Sequence, residues 1–149
     1  MNSIFIASLS FGLLAAGSSP PLEHRVQIDH KGAAINVNYR GEIDVIHKQR
    51  GSAAPGGRPS SLRCEWKAKV IVNREAQHAS GALMSRTFES EDSVKGSRPG
   101  WCVANRKAIA QDVALKTDSI QQNLLAAAAA DRMVLTAEVE HAMGSVPTG

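Results

Sequence analysis

Between Leu22 and Lys48 apolar and polar residues alternate. Val26 and Ile28 alternate with Arg25, Gln27 and Asp29; Ile35, Val37 and Tyr39 alternate with Asn36, Asn38 and Arg40; Ile43 and Val45 alternate with Glu42 and Asp44. A period of two puts the apolar members of a strand on one side, so this segment reads as a three-stranded antiparallel meander. Lys31-Gly32 can close the first hairpin in a two-residue turn. That turn sets Ile28 opposite Ile35, Val26 opposite Val37 and His24 opposite Tyr39, with all the apolar residues on one face. A two-residue turn at Arg40-Gly41 would set Tyr39 against Glu42 and throw the faces out of phase. The pattern therefore predicts a three-residue turn, Arg40-Gly41-Glu42, with Gly41 in the left-handed region.

Gly51 to Ser61 is a run of Gly, Ser, Ala and Pro that carries Arg58, and it reads as a flexible loop. Cys64 to Arg74 gives the clearest strand. Cys64, Trp66, Ala68, Val70 and Val72 share one face, and Glu65, Lys67, Lys69 and Asn73 share the other, with Ile71 the exception. Glu75 to Gly81 reads as a turn, Ala82 to Glu89 as a fifth strand and Ser90 to Gly100 as a polar connection.

The period then changes. From Trp101 to Met143 the residues Ile109, Val113, Ile120, Leu124, Ala128, Leu135 and Val139 recur mainly at threes, fours and sevens among strong helix formers. Asp118 with Gln121 resembles an N-cap and its capping-box partner, which places a break near Lys116–Asp118. Two helices are expected, about 101–116 and 118–143, with a single long helix as the alternative. Ala126 to Ala130 leave the helix surface without bulk, suited to packing on the sheet or to a helix–helix dimer contact. The expected fold class is α+β: an antiparallel sheet of four or five strands, meander first, with one or two C-terminal helices on one face.

Ahead of the strands, Ile4 to Ala16 is apolar and uncharged, and Ala15 and Gly17 supply a small-x-small pattern. Residues 1–17 thus read as a removable signal peptide. The apolar run is too short to span a membrane, and only the α-amine supplies a cation before it. Residues 18–149 are expected to form a single domain, strand-rich over 22–91 and helical over 101–143. A periplasmic or extracellular destination follows. With 43% hydrophobic and 21% charged residues the composition is that of a folded chain. Aromatics make up only 4%, so Val, Ile, Leu and Ala must build the core.

Export gives the two cysteines a meaning. An exported chain with two cysteines usually joins them. A Cys64–Cys102 bond would staple the strongest strand to the start of the helical region. Redox catalysis would call for a close C-x-x-C pair instead.

Several constellations are set aside. His24, His30 and His47 share the apolar-face parity, but the strand register keeps them apart, whereas zinc needs its ligand nitrogens about 2 Å from one ion. No G-x-S-x-G elbow marks a nucleophile. Gly56-Gly57 lacks the Lys-Ser/Thr of a phosphate loop. Glu89, Glu91 and Asp92 fall in a polar, solvated stretch. No cofactor, metal or catalytic residue is indicated.

Charge supplies the remaining lead. The net charge of +3 is mild but uneven: through Glu75 ten Lys and Arg face six Asp and Glu, and afterwards seven face eight. Lys48, Arg50, Arg58, Arg63, Lys67 and Lys69 form a run interrupted only by Glu65. They could meet an anionic envelope component, an acidic protein or nucleic acid, although the scarcity of aromatics for base stacking weighs against nucleic acid. The expected function is therefore a non-catalytic exported binding or accessory domain. The alternatives are an interaction module that homodimerises through its Ala-rich helix, and a hydrolase whose site the sequence does not mark.

Overall fold

The structure, a computed structural model, describes residues 21–144. The expected leader, residues 1–17, lies outside the described residues. In chain order the elements are β1 (Glu23–His30), β2 (Ala33–Arg50), β3 (Arg63–His78), β4 (Leu83–Glu89), β5 (Val94–Pro99), α1 (Cys102–Ala114) and α2 (Thr117–Gly144). The fold is α+β. Its antiparallel sheet has five strands, ordered β1-β2-β3-β4, and β5 also pairs with β3.

The first hairpin has the expected register. Val26 faces Val37, Ile28 faces Ile35 and His24 faces Tyr39, and the His24 and Tyr39 rings stack with centroids 6.1 Å apart. Lys31 and Gly32 both take positive φ, 53° and 79°, as a two-residue turn with the twist of the flanking strands requires. The second predicted turn does not exist. β2 runs without a break through Arg40, Gly41 and Glu42 and pairs along its whole length from Ile35 with β3. The parity argument that demanded an odd-numbered turn is satisfied equally by no turn, because Tyr39, Gly41, Ile43 and Val45 already share a face. Gly41 is small for another reason. A Cβ there would lie 2.4 Å from the Leu22 side chain and 2.9 Å from that of Val70. Leu22 thus packs across the vacant position, and its carbonyl accepts the Gly41 N–H at 2.7 Å.

β3 is the spine of the sheet. β2 lies along one side of it; β4 and β5 follow one another along the other side. At the junction, the Val70 N–H donates to the Ser90 hydroxyl (3.0 Å) and the Ser90 N–H donates to the Val70 carbonyl (2.8 Å). Glu75 to His78, read as a turn, continue β3, and Val94–Pro99, read as a polar connection, is a strand.

Alternation along β3 buries Cys64, Trp66, Ala68, Val70, Val72, Arg74, Ala76 and His78. Both helices cover that face. α1 is tied to it by the Cys64–Cys102 disulfide, whose Cα atoms are 4.8 Å apart, and by a two-pronged ion pair between Arg98 and Asp112, both contacts 2.6 Å. Hydrogen bonds from Arg98 hold the Asp112 carboxyl below its usual pKa. Gln49 adds a third tie. Its side chain accepts the Cys102 N–H at 2.8 Å and donates to the Arg63 and Gly100 carbonyls, filling a role that Trp101, the N-cap without a side-chain hydrogen bond, leaves open. The helices break between Ala114 and Thr117, close to the expected point. Ile109, Val113, Ile120, Leu124, Ala128, Leu135 and Val139, the predicted helical stripe, are all buried.

One inward position on α2 is charged. Asp131 has a fully buried side chain and meets three strands. Tyr39 donates to it at 3.3 Å, the fully buried Arg74 at 3.0 Å and Arg86 at 2.7 Å. Arg74 also pairs with Glu138. Burial, the Asp131 charge and this hydrogen bond push the Tyr39 hydroxyl up to about 12.

Candidate anion-binding face

Because the helices cover one side of the sheet, the odd-numbered side chains of β3 and the even-numbered side chains of β2 emerge on the other. Five of the six cations singled out above belong to that set: Lys48 and Arg50 on β2, and Arg63, Lys67 and Lys69 on β3. The register makes them neighbours. Arg50 lies opposite Arg63, Lys48 opposite Glu65, and Ile46 opposite Lys67. β5 contributes a cation that the sequence reading missed, Lys95, directly opposite Lys67. Finding it required β5 to be a strand, and its Lys-Gly-Ser-Arg-Pro core carries almost no strand signal.

The pairing of these charges is uneven. Glu65 receives Arg50 at 3.1 Å and Arg63 at 3.2 Å, and the hydrogen bond from Arg50 holds its carboxyl below the usual glutamate value. Lys69 is taken by Glu89 at 2.9 Å, which leaves it partly neutralised at the margin of the group. Lys48, Lys67 and Lys95 enter no ion pair among the described residues, although Lys67, after Lys69, helps from a distance to hold the Glu89 carboxyl below its usual pKa. One carboxylate, Glu65, therefore sits among Lys48, Arg50, Arg63, Lys67 and Lys95. An open depression of about 530 Å³ is lined by Ile46, Lys48, Glu65, Trp66, Lys67, Lys95, Gly96 and Ser97. On the opposite, helix-covered face Gly96 makes room for its cross-strand neighbour: a Cβ there would lie 2.4 Å from the Trp66 indole.

Arg58 stands apart, on the loop between β2 and β3. The neck of that loop is closed where the Ser52 N–H donates to the Ser61 hydroxyl at 3.1 Å and the Ser61 N–H donates to the Ser52 carbonyl at 3.3 Å. Arg58 itself is exposed, and its N–H reaches the Pro55 carbonyl at 3.4 Å in a local turn.

Other chemistry can be located as well. A serine–histidine contact joins Ser80 to Nδ1 of His78 at 2.9 Å within a turn. The Ser80 N–H donates to the same nitrogen, and Nε2 is buried without a partner, so no carboxylate orients the ring for catalysis. Among the described residues no three His, Cys, Asp or Glu side chains form a metal-binding group, and no helix is long and apolar enough to cross a membrane. In the alanine run, Ala127 and Ala128 pack inward, whereas Ala129 and Ala130 face outward. Comparison with family models, with curated proteins and with solved structures finds no match to this chain.

Proposed function

We propose that the protein is an exported, non-catalytic binding or accessory domain that holds an anionic partner on the helix-free face of its sheet. The partner is an anionic envelope component or an acidic protein, met in the periplasm or outside the cell. The Lys67–Lys95 cross-strand pair carries the reading. Like charges directly opposite one another on a sheet are destabilising; two positions further along the same face Arg50 lies opposite Arg63, and that pair already shares Glu65. A bound anion would relieve that repulsion, and the arginines can grip a carboxylate or phosphate with two donors each. The Cys64–Cys102 disulfide suits an oxidising compartment and supports the export part of the reading.

Retention on phosphocellulose tests it. Replacing Arg63 by Ser together with Lys67→Gln and Lys95→Gln should move elution to markedly lower salt. Arg106→Gln with Lys107→Gln, exposed on α1, should move it little. Unchanged retention of the triple variant at low salt would remove the proposal.

A further inference from the structure

The sheet has an edge that nothing in the described chain covers. β1 pairs with β2 only as far as Arg40, and its ladder ends in the Gly41–Leu22 hydrogen bond. The chain before Leu22 reads Pro20-Pro21, and neither proline has an N–H with which to carry the ladder on along β2. From Glu42 to Arg50 the inner side of β2 is paired with β3, and no described strand lies on the outer side. Such an edge is a template for another extended strand.

The side chains along this edge say which strand fits. On the helix-free face the order is Glu42, Asp44, Ile46, Lys48, Arg50: two acids, an apolar centre, two bases. We infer that a second copy of this chain pairs with it, β2 against β2, antiparallel about a two-fold axis at Ile46. In that register Glu42 meets Arg50 of the second copy, Asp44 meets Lys48, and the two Ile46 side chains meet at the centre. The pairing repeats on the other side of the axis, as an isologous contact must. A slip of two residues either way sets Ile46 against Asp44 or Lys48, and parallel in-register pairing sets like charges together. One arrangement therefore satisfies every position on this face. The edge also ends where the register needs it to end, because Glu42 is the first residue beyond the β1 ladder and Arg50 is the last of β2.

The surface is in the right state for this contact. Ile46 is 52% exposed and Ile43, on the opposite face, 42%. Glu42, Asp44 and Lys48 make no ion pair within the described chain, and Arg50, held by Glu65 at 3.1 Å, would be shared with Glu42 of the second copy. Charges on a sheet edge commonly serve to prevent pairing. A strand built only to repel its copies would carry one sign throughout, and this one carries a sequence of signs that its own reversal neutralises. Dimerisation here differs from a contact through the Ala-rich helix, because it leaves α2 outside the interface.

The experiment is sedimentation of the protein, as purified from an exporting host, across a range of micromolar concentrations, with two charge variants. Wild type should show a concentration-dependent doubling of mass. Asp44→Lys and Lys48→Glu alone should each weaken self-association roughly tenfold or more, since two symmetry-related pairs become repulsive. Mixing the two variants should restore the dimer as a heterodimer, and so should combining both changes in one chain. Ile46→Cys supplies an independent reading. In antiparallel pairs facing Cα atoms lie roughly 4.5 to 5.5 Å apart, within disulfide reach, so this variant should cross-link to itself on oxidation, while Thr87→Cys, exposed on β4, should not. A monomer at every concentration overturns the inference. So does a dimer that both charge variants leave intact, which would place the contact elsewhere, α2 included. If a charge variant fails to fold, absence of the Ile46→Cys cross-link overturns it on its own.

Discussion

Asp131→Ala is the sharpest test of what holds the helix to the sheet. The Asp131 and Arg74 side chains both have no exposed surface and lie 3.0 Å apart. Removing the carboxylate leaves a buried guanidinium with Glu138 as its remaining acidic partner. Arg74 already has one unpartnered atom, Nε, so the site has no spare acceptor to offer it. Breaking one side of a buried pair costs about 3–5 kcal/mol. The Tyr39 hydroxyl loses its acceptor, which adds about 1 kcal/mol. Arg86 is 39% exposed on its side chain and can turn to water, so it adds little. The sum, about 4–6 kcal/mol, is a large share of the stability of an ordinary domain, and thermal unfolding should fall by roughly 15 °C. Circular dichroism in heat and urea measures the loss. A double-mutant cycle gives its origin: Arg74→Met with Asp131→Leu should recover much of what Asp131→Ala loses, because an apolar pair removes the stranded charge. A loss below about 1 kcal/mol, or a double variant no better than the sum of its singles, would refute the reasoning.

Further outcomes follow from neighbouring features. Replacing Cys64 and Cys102 by Ala should cost about 4 kcal/mol through the loop the disulfide closes, read as a shift in the urea midpoint of the oxidised protein against the variant. Intact mass from an exporting host should fall short by residues 1–17, with both cysteines alkylated only after reduction; a full-length mass with freely labelled thiols would end the export reading. Gly96→Ala drives a methyl group into the buried Trp66 indole and should destabilise by about 2 kcal/mol with a change in tryptophan fluorescence. The Tyr39 hydroxyl, raised to about 12 from 10.0, favours folding while protonated. That contribution is whole below pH 10 and is lost as pH rises toward 12, so Tyr39→Phe should flatten the stability profile across that window, and an unchanged slope would contradict the assignment.

Much of this was legible in the sequence because alternation and helical period are local signals. The first hairpin, the predicted helical stripe and the Cys64–Cys102 link follow from residues that share a face or a compartment. Where the reading went astray, a partner distant in sequence decided. Arg74 looked like the end of a strand because a charge ended the apolar alternation. It continues inward because Asp131 and Glu138, on a helix more than fifty residues later, receive it. Gly41 looked like a turn residue, and the reason for its small size is the Leu22 side chain across the strand. Val94–Pro99 is held as a strand by β3 alone, and without it Lys95 could not be seen beside Lys67. The cations of the basic run were visible, but the carboxylates that take up three of them, Glu65 and Glu89, became neighbours only through the register.

The two surfaces assigned to β2 are not independent, since Lys48 and Arg50 serve both. An anion seated on the helix-free face draws on the cations that the second copy's Asp44 and Glu42 would occupy. Reciprocity then fixes the outcome: the factor by which a polyanion weakens dimerisation equals the factor by which dimerisation weakens binding of the polyanion. Arg58, Arg63, Lys67 and Lys95 lie outside the strand contact, so the dimer should bind more weakly without losing binding. Inorganic polyphosphate added to the sedimenting protein should therefore raise the monomer fraction, and the effect should fade with added salt, which screens both contacts. The chain carrying both Asp44→Lys and Lys48→Glu separates the roles, because it keeps complementary charges across the two-fold axis while putting an acid where Lys48 lines the depression; the new cation at position 44 lies outside that lining. It should still dimerise and should leave phosphocellulose at lower salt than wild type. If polyphosphate binds and the monomer fraction stays where it was, Lys48 and Arg50 take no part in holding the anion, and the binding surface contracts to Arg63, Lys67, Lys95 and the loop.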